Sequence, residues 1–177
     1  MPSEVSLYRK IQVVLDVAKS IKPNSIDELR EEIKSQGYTN FLARKYDSEK
    51  DDFIQFISDR SIRRTIAFCL TLDLIGTDGS LSKQGRKAVD RTKFDKTVAG
   101  QIRDLLEGSE IHLPAFNKII LNKLRSNPPV LPTCKELWAE IETKMSYSKF
   151  SRLMTILVHC GGARSSQAKI YLQIESG

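Results

Sequence analysis

Histidine is scarce in this chain of 177 residues: only His112 and His159 are present. With so few imidazoles, neither a Ser-His-Asp set nor a Cys-His set can be argued. The three cysteines, Cys69, Cys134 and Cys160, cannot all pair with one another, and each falls in a helical pattern. Buried thiols in a reducing cytoplasm are therefore expected. No two of them have zinc-ligand spacing. His159 and Cys160 are adjacent but Cys134 is distant, so helix packing is the reading there. No glycine-rich phosphate loop is present, because Gly161-Gly162 lacks a following Lys-Ser/Thr. No apolar run approaches the roughly 18 residues of a membrane span. The first residues, MPSEVSLYRK, lack the apolar core of a signal peptide. Glu142-Thr143-Lys144 is an E-x-K triplet of the nuclease kind. A nuclease needs it on a strand with a second carboxylate converging on a metal, whereas here it ends a capped helix. The single tryptophan, Trp138, sits beside Leu137 and Ile141, which reads as core or interface rather than base stacking. The expectation from these absences is no catalytic residue, no metal, no cofactor and no membrane partner.

What is present is a basic, ordinary globular composition, 40% hydrophobic and 28% charged, with net charge +6. The length suits one domain or two small ones. The charge is uneven. Residues 1–90 hold 15 Lys+Arg and 14 Asp+Glu, a balance of +1. Residues 91–177 hold the other 13 and 8, a balance of +5. The C-terminal half is thus the expected polyanion binder, with a merely solvated basic face as the plain alternative.

Helical periodicity covers most of the chain. Leu7 to Ile21 reads as a helix with Ile11, Val14, Leu15 and Ala18 on one face. Ser25 and Glu28 form a capping box for a second, Ile26 to Gln36, ended by Gly37. Tyr38 to Ser58 holds an acidic patch (Asp47, Glu49, Asp51, Asp52) and the doublets Phe53-Ile54 and Phe56-Ile57, which predict a short helix. Ser58 or Asp59 can cap the next helix, Arg60 to about Ile75. It is apolar almost all round, with Arg60, Arg64 and Thr71 as its polar stripe and Arg63 nearby. Asp78-Gly79 is a hairpin turn signal. A helix to about Thr92 follows, then a connecting helix from Lys93 to Glu107, closed by Gly108. Pro114 to Arg125 is a further helix. Pro128, Pro129 and Pro132 mark a rigid loop, with Val130-Leu131 as a short strand. Thr133 and Glu136 make another capping box, opening Cys134 to Lys144.

The last helix carries the sharpest signal. From Met145 onward, Phe150, Leu153, Met154, Leu157 and Val158 form one apolar stripe. Ser148, Arg152, Thr155 and His159 lie opposite, with Lys149 at the edge. Gly161-Gly162 stops the helix. A small hairpin is expected next, with Ala163-Arg164 leading in, Ser165-Ser166-Gln167 turning and Ile170 to Ile174 alternating as a half-buried strand. No Asp or Glu occurs from Thr143 to Ile174, yet Lys144, Lys149, Arg152, Arg164 and Lys169 all do. A helix that docks in a groove between phosphates needs that charge balance.

The two halves also resemble each other. Tyr8-Arg9-Lys10-Ile11 matches Phe116-Asn117-Lys118-Ile119, and the capped helix at Ser25 matches that at Thr133, both 108 residues on. The third helices match at an offset of 88, with Arg60, Arg64 and Thr71 on Ser148, Arg152 and His159. Ile62, Ile66, Cys69 and Leu70 fall on Phe150, Met154, Leu157 and Val158. The 20-residue difference is an extra segment in the first half, near 38–57. Duplicated architecture is the reading, against chance likeness of amphipathic helices.

The segment IGTDGSLSKQGRKAV, Ile75 to Val89, resembles the wing and following helix of winged-helix DNA-binding proteins. In that family an LT-x-x-G-R type strand end follows a recognition helix ending in an LGLI-like run, and Leu72-Asp73-Leu74-Ile75 fills that role. The helix, glycines and basic hairpin of the C-terminal stretch likewise resemble the second half of a winged helix. The resemblance implies a mainly α fold with short β-hairpin wings, in two tandem winged-helix domains. The first is 1–92, with the insertion near 38–57; a connecting helix spans 93–113; the second is 114–177. It implies that each third helix enters a major groove and each wing touches the backbone or minor groove. The first module then offers Arg60, Arg63 and Arg64, wing residues Thr77 and Ser80, and Lys83 in the helix that follows. The second offers Ser148, Lys149, Arg152 and the wing residues Arg164, Ser165 and Lys169. The acids of the insertion set the first module apart from the family pattern. The expected function is non-catalytic binding of double-stranded DNA, as a transcriptional regulator or DNA-recognition module in the cytoplasm, nucleoid-associated in a prokaryote. Tandem winged helices also resemble the recognition part of some type IIS restriction enzymes, hence a restriction or defence role. They equally resemble adaptors of larger complexes that bind proteins, so a protein partner or homodimer is the alternative.

Overall fold

The computed structural model describes residues 4–108, 133–141, 143–160, 163–166 and 169–172, the first three and both short β segments by their backbone alone. The protein is mainly helical, with two separate two-stranded antiparallel sheets among the described residues. No described helix is long and apolar enough to cross a membrane. The chain divides into two compact units, Met1–Arg91 and Thr92–Gly177.

In the first unit, α1 (Glu4–Ile21), α2 (Ile26–Ser35) and α3 (Asp59–Thr71) pack against one another. Ile11, Val14 and Leu15 of α1 meet Leu29 and Ile33 of α2 and Ile62, Ile66 and Cys69 of α3 in one buried core. Each of these helices shows its apolar residues three and four apart, which is why one face of each is buried. Caps set two of the starts. The Ser25 hydroxyl accepts the Glu28 N–H at 3.1 Å, and the Ser58 hydroxyl accepts the Ser61 N–H at 3.2 Å. Lys10 ties α1 to the start of α3. Its Nζ donates to Ser61 Oγ at 2.8 Å and lies 5.7 Å from the centre of the Phe41 ring. Burial holds its pKa below the usual lysine value.

Helix ends shift by a few residues, so that the first helix begins at Glu4 rather than Leu7 and the helix opened at Cys134 ends at Glu140 rather than Lys144; four further features differ from the sequence reading. The first is the extra segment. Instead of a short helix, it is a 3₁₀ turn, Thr39–Phe41, and a hairpin of β1 (Leu42–Asp47) and β2 (Asp52–Ile57). Its register pairs Leu42 with Ile57, Arg44 with Gln55 and Tyr46 with Phe53. The Phe-Ile doublets mimic helical spacing, but in a strand they place one apolar residue on each face. Asp51, with φ +50°, closes the loop. Secondly, α3 ends at Thr71 and not near Ile75. Asp73 adopts φ +52°, the Leu74 N–H donates to Cys69 O at 2.9 Å and the Asp73 N–H to Leu70 O at 3.0 Å. That pair of bonds is a Schellman closure with Asp at the left-handed position. Leu70, expected in the core, is half-buried as a result of its place at the edge of this face.

Thirdly, the helix expected to reach Thr92 is short. α4 (Lys83–Ala88) stops before Val89-Asp90, and α5 (Arg91–Gly108) starts two residues ahead of Lys93. The chain turns there because α4 is pinned. Ser82 caps it through the Gly85 N–H at 2.9 Å and donates its hydroxyl to Asp73 O at 2.5 Å. Gly85 lies so close to α3's exit that a Cβ would sit 1.9 Å from Leu74 O. The Asp78-Gly79 turn forms as expected, with Gly79 at φ +81°, but the pairing around it is one bridge, Ile75 with Leu81.

The second unit repeats part of this plan. α6 (Cys134–Glu140) carries the full capping box of Thr133 and Glu136. α7 (Tyr147–His159) follows, capped by Ser146, and packs on α6. α5 buries Phe94, Val98, Ile102 and Leu106. The correspondence with the first unit extends to every buried position of the third helix. α3 buries Ile62, Thr65, Ile66, Phe68 and Cys69, and α7 buries Phe150, Leu153, Met154, Ile156 and Leu157, each 88 residues later. Both helices have 13 residues, and both have a serine N-cap, at 58 and 146. Val158 is half-buried, like Leu70 before it. Fourthly, the closing hairpin begins earlier than expected. β3 (Ala163–Ser166) pairs with β4 (Lys169–Leu172), so Ser165 and Ser166 extend a strand rather than turn. β3 packs against α7. The expected helix Pro114 to Arg125, the proline loop, His112 and Glu142 lie outside the described residues.

Candidate nucleic-acid interface

α7 presents the residues the sequence singled out. Its apolar stripe is buried, which leaves Ser148, Lys149 and Arg152 exposed on the other side, with Thr155 half-buried between Arg152 and exposed His159. Helical spacing stacks Ser148, Arg152 and Thr155 along one line, one turn apart. Among the described residues neither Lys149 nor Arg152 is held in an ion pair. Lys144, just before the helix, is exposed as well. The His159 ring nitrogen Nδ1 lies 2.9 Å from Thr155 O, which folds the imidazole back along its own helix.

The start of α7 is held in place by residues with no charge. Trp138 of α6 is half-buried, and its indole N–H donates to Met145 O at 2.8 Å. The Thr143 hydroxyl accepts the Met145 N–H at 3.1 Å. The Trp138 ring meets Tyr147 edge-on at 5.7 Å between centroids. Ser146 then caps the helix through the Lys149 N–H at 3.3 Å. These contacts fix the α6–α7 turn, and with it the direction in which Ser148, Lys149 and Arg152 point. Trp138 is thus a positioning side chain. The sequence marked it only as core or interface, because nothing local reveals that its N–H reaches seven residues ahead.

At the other end of α7 the acid-free window closes. Cys160, the C-cap, is pushed up to about 12 by burial first and then by the Asp95 carboxylate of α5, to which it is hydrogen-bonded. The segment without acids in sequence therefore meets one in space at the C-terminal end of α7. The Ser148–Arg152 end is where the cations stand together. Of the remaining second-unit candidates, Arg164 and Ser165 lie in β3 and Lys169 in β4. Arg164 pairs with Tyr171, Ser165 with Ile170 and Ser166 with Lys169.

The first-unit candidates are more constrained. Arg60, Arg63 and Arg64 are exposed on α3, and Arg60 and Arg64 share a line one turn apart. Arg63 Nε is engaged with Asp59 at 2.7 Å, and Asp59 is also 3.6 Å from Arg30. Thr77 and Lys83 are exposed. Ser80 is committed elsewhere: its N–H and hydroxyl donate to the Asp78 carboxylate at 3.0 and 2.7 Å. These bonds hold the Asp78 carboxyl below its usual pKa, so the turn offers a fixed anion beside any phosphate. A cavity of about 800 Å³ that the sequence did not foreshadow opens nearby, where Lys19, Lys22 and Arg86 surround Ala18 and Leu81, with Asp90 at its rim. Its residues come from the end of α1 (Ala18, Lys19 and, just after it, Lys22) and from the stretch Ser80–Asp90 around α4, some 60 positions on, so no local pattern could have announced it.

Cys69 is buried, Cys134 and Cys160 are half-buried, and none of the three forms a disulfide. Burial pushes the Cys69 thiol up as well. Among the described residues, no cluster of three or more His, Cys, Asp or Glu could hold a metal. Comparison with family models, curated proteins and solved structures finds no significant match to the chain.

Proposed function

We propose that the chain binds double-stranded DNA without catalysis, through two tandem winged-helix modules, and that the second module reads the duplex with α7. The observation that carries this reading is the face of α7. Ser148, Lys149 and Arg152 stand exposed, clear of ion pairs among the described residues, on a helix whose start is anchored by Trp138. A helix of 13 residues with cations on its exposed side has the length and charge for a major groove. The shared caps and burial register of α3 and α7 support duplication of the helix-turn-helix part. In this reading the turn at Gly79 and the β3–β4 hairpin serve as the two wings. Such a protein acts as a transcriptional regulator or as the recognition module of a larger system.

Arg152, at mid-face, reaches a base edge or a central phosphate. Lys149, Arg164 and Lys169 contact phosphates on either side. The test is a gel-shift series on three folded variants. Arg152→Ala weakens binding and relaxes sequence preference, because loss of a base contact costs about 1–3 kcal/mol at that position. Lys169→Ala weakens all duplexes alike. Arg64→Ala matters less, since its module also presents the acids of the β1–β2 loop and Asp78. If Arg64→Ala abolishes binding while the other two leave it intact, the first module is the reader and the assignment is reversed. The second reading, a protein-binding adaptor, is favoured by one specific observation, the exposed apolar side chains of the β1–β2 hairpin.

A further inference from the structure

Five of the six large hydrophobic side chains exposed among the described residues are on the β1–β2 hairpin: Leu42, Tyr46, Phe53, Ile54 and Phe56. Phe53 is 64% exposed. No strand residue is fully buried on either face. An isolated two-stranded hairpin is marginal in water, and apolar groups gathered on one exposed element mark an interaction site.

The two outer edges of this hairpin differ. β1 carries Arg44 and Lys45, which alternation sends to opposite faces, so a cation guards that edge on both sides. β2 has no charge from Phe53 to Ile57 and no proline. Its run Phe-Ile-Gln-Phe-Ile is also self-complementary. When two copies of β2 meet antiparallel about a two-fold axis perpendicular to the sheet, residues pair symmetrically about a central position. With Gln55 on the axis, Gln55 faces its own copy. Phe53 then faces Ile57 of the second copy, and Ile54 faces Phe56 of the second copy. Every apolar pair is aromatic against β-branched, the cross-strand combination that stabilises sheets best. Charge agrees with this direction. The loop of each hairpin, with Asp47, Glu49, Asp51 and Asp52 around Lys50, runs toward the start of the other copy's α3. There Arg60 and Arg64 are exposed and without an ion pair among the described residues.

We propose that β2 is a homodimerisation edge, pairing antiparallel with β2 of a second copy of this chain to form a four-stranded sheet centred on Gln55. The unguarded edge is then covered, and the two outer edges of the combined sheet are the Arg44-Lys45 strands. Pairing of this kind is isologous and closes after two copies. It does not require that the chain bind DNA.

Sedimentation of the full chain over a range of concentrations tests this. The wild-type chain is expected to run as a dimer. Gln55→Lys sets two like charges against each other on the axis, and Gln55→Glu does the same. Each variant alone is expected to run as a monomer, with its helical circular dichroism unchanged because Gln55 is exposed. An equimolar mixture of the two variants is expected to run as a dimer again. Arg44→Gln, on the guarded edge, is expected to leave the dimer intact. A wild-type chain that stays monomeric at every concentration overturns the proposal. So does a Gln55→Lys chain that remains dimeric, or a mixture that fails to recover the dimer.

Discussion

Asp78 shows how much a single turn residue is constrained. Its carboxylate receives the N–H and the hydroxyl of Ser80, both favouring the charged form. Its pKa in the folded chain therefore lies below the ordinary 3.8. The stabilisation is fully present above that ordinary value and is lost as pH falls through the lower folded one. An NMR titration should place the Asp78 midpoint below 3.8; a midpoint at or above it would mean that the Ser80 bonds do not form. The thiols behave oppositely. With Cys160 at about 12, only about one molecule in ten thousand carries its thiolate at pH 8. Iodoacetamide at pH 8 should leave Cys160 and buried Cys69 unmodified in the native protein and label both in urea. Rapid native labelling of Cys160 would contradict its burial against Asp95. Gly85 is the most confined of the described glycines, since a Cβ there would meet Leu74 O at 1.9 Å. Gly85→Ala is expected to destabilise the first unit by about 1–3 kcal/mol or more through overpacking, read as a lowered urea midpoint with unchanged slope.

At the scale of the element, α7 depends on its buried stripe. Leu157 is fully buried, and Leu157→Ala should cost about 2–5 kcal/mol. A Leu157→Ala protein with an unchanged Tm would show that α7 is not packed as described. The helices were legible because their patterns are local. Capping residues at Ser25, Ser58 and Thr133 and apolar residues three and four apart fix start and face together, and the bonds at all three caps form. The β1–β2 hairpin was not legible. Phe53-Ile54 and Phe56-Ile57 satisfy helical spacing, and a strand exposed on both faces loses the alternation that identifies strands. The end of α3 is hidden in the sequence for a different reason. A left-handed C′ residue is usually glycine, and here it is Asp73. Asp73→Gly should therefore raise stability, by up to about 1 kcal/mol.

For the whole molecule, two units share a capped helix followed by a 13-residue helix whose five buried positions coincide, while their surfaces diverge. The first unit pairs Arg63 with Asp59, commits Ser80 to Asp78 and carries an acidic, apolar hairpin. The second keeps Lys149 and Arg152 clear of ion pairs among the described residues. The matching register of the two 13-residue helices and the exposed cations of the second could be read from the sequence. Contacts between distant segments could not, such as Asp95 at Cys160 or Trp138 at Met145, because each depends on helices first packing together. The central claim, that the second unit is a duplex binder, turns on electrostatics between its cations and phosphates. The most direct measurement is the affinity of the full chain for a random duplex as a function of salt. Neutralising about four phosphates through Lys149, Arg152, Arg164 and Lys169 predicts a log–log slope near −3.6. Absence of any duplex binding at about 50 mM salt, where such contacts are strongest, would contradict the account.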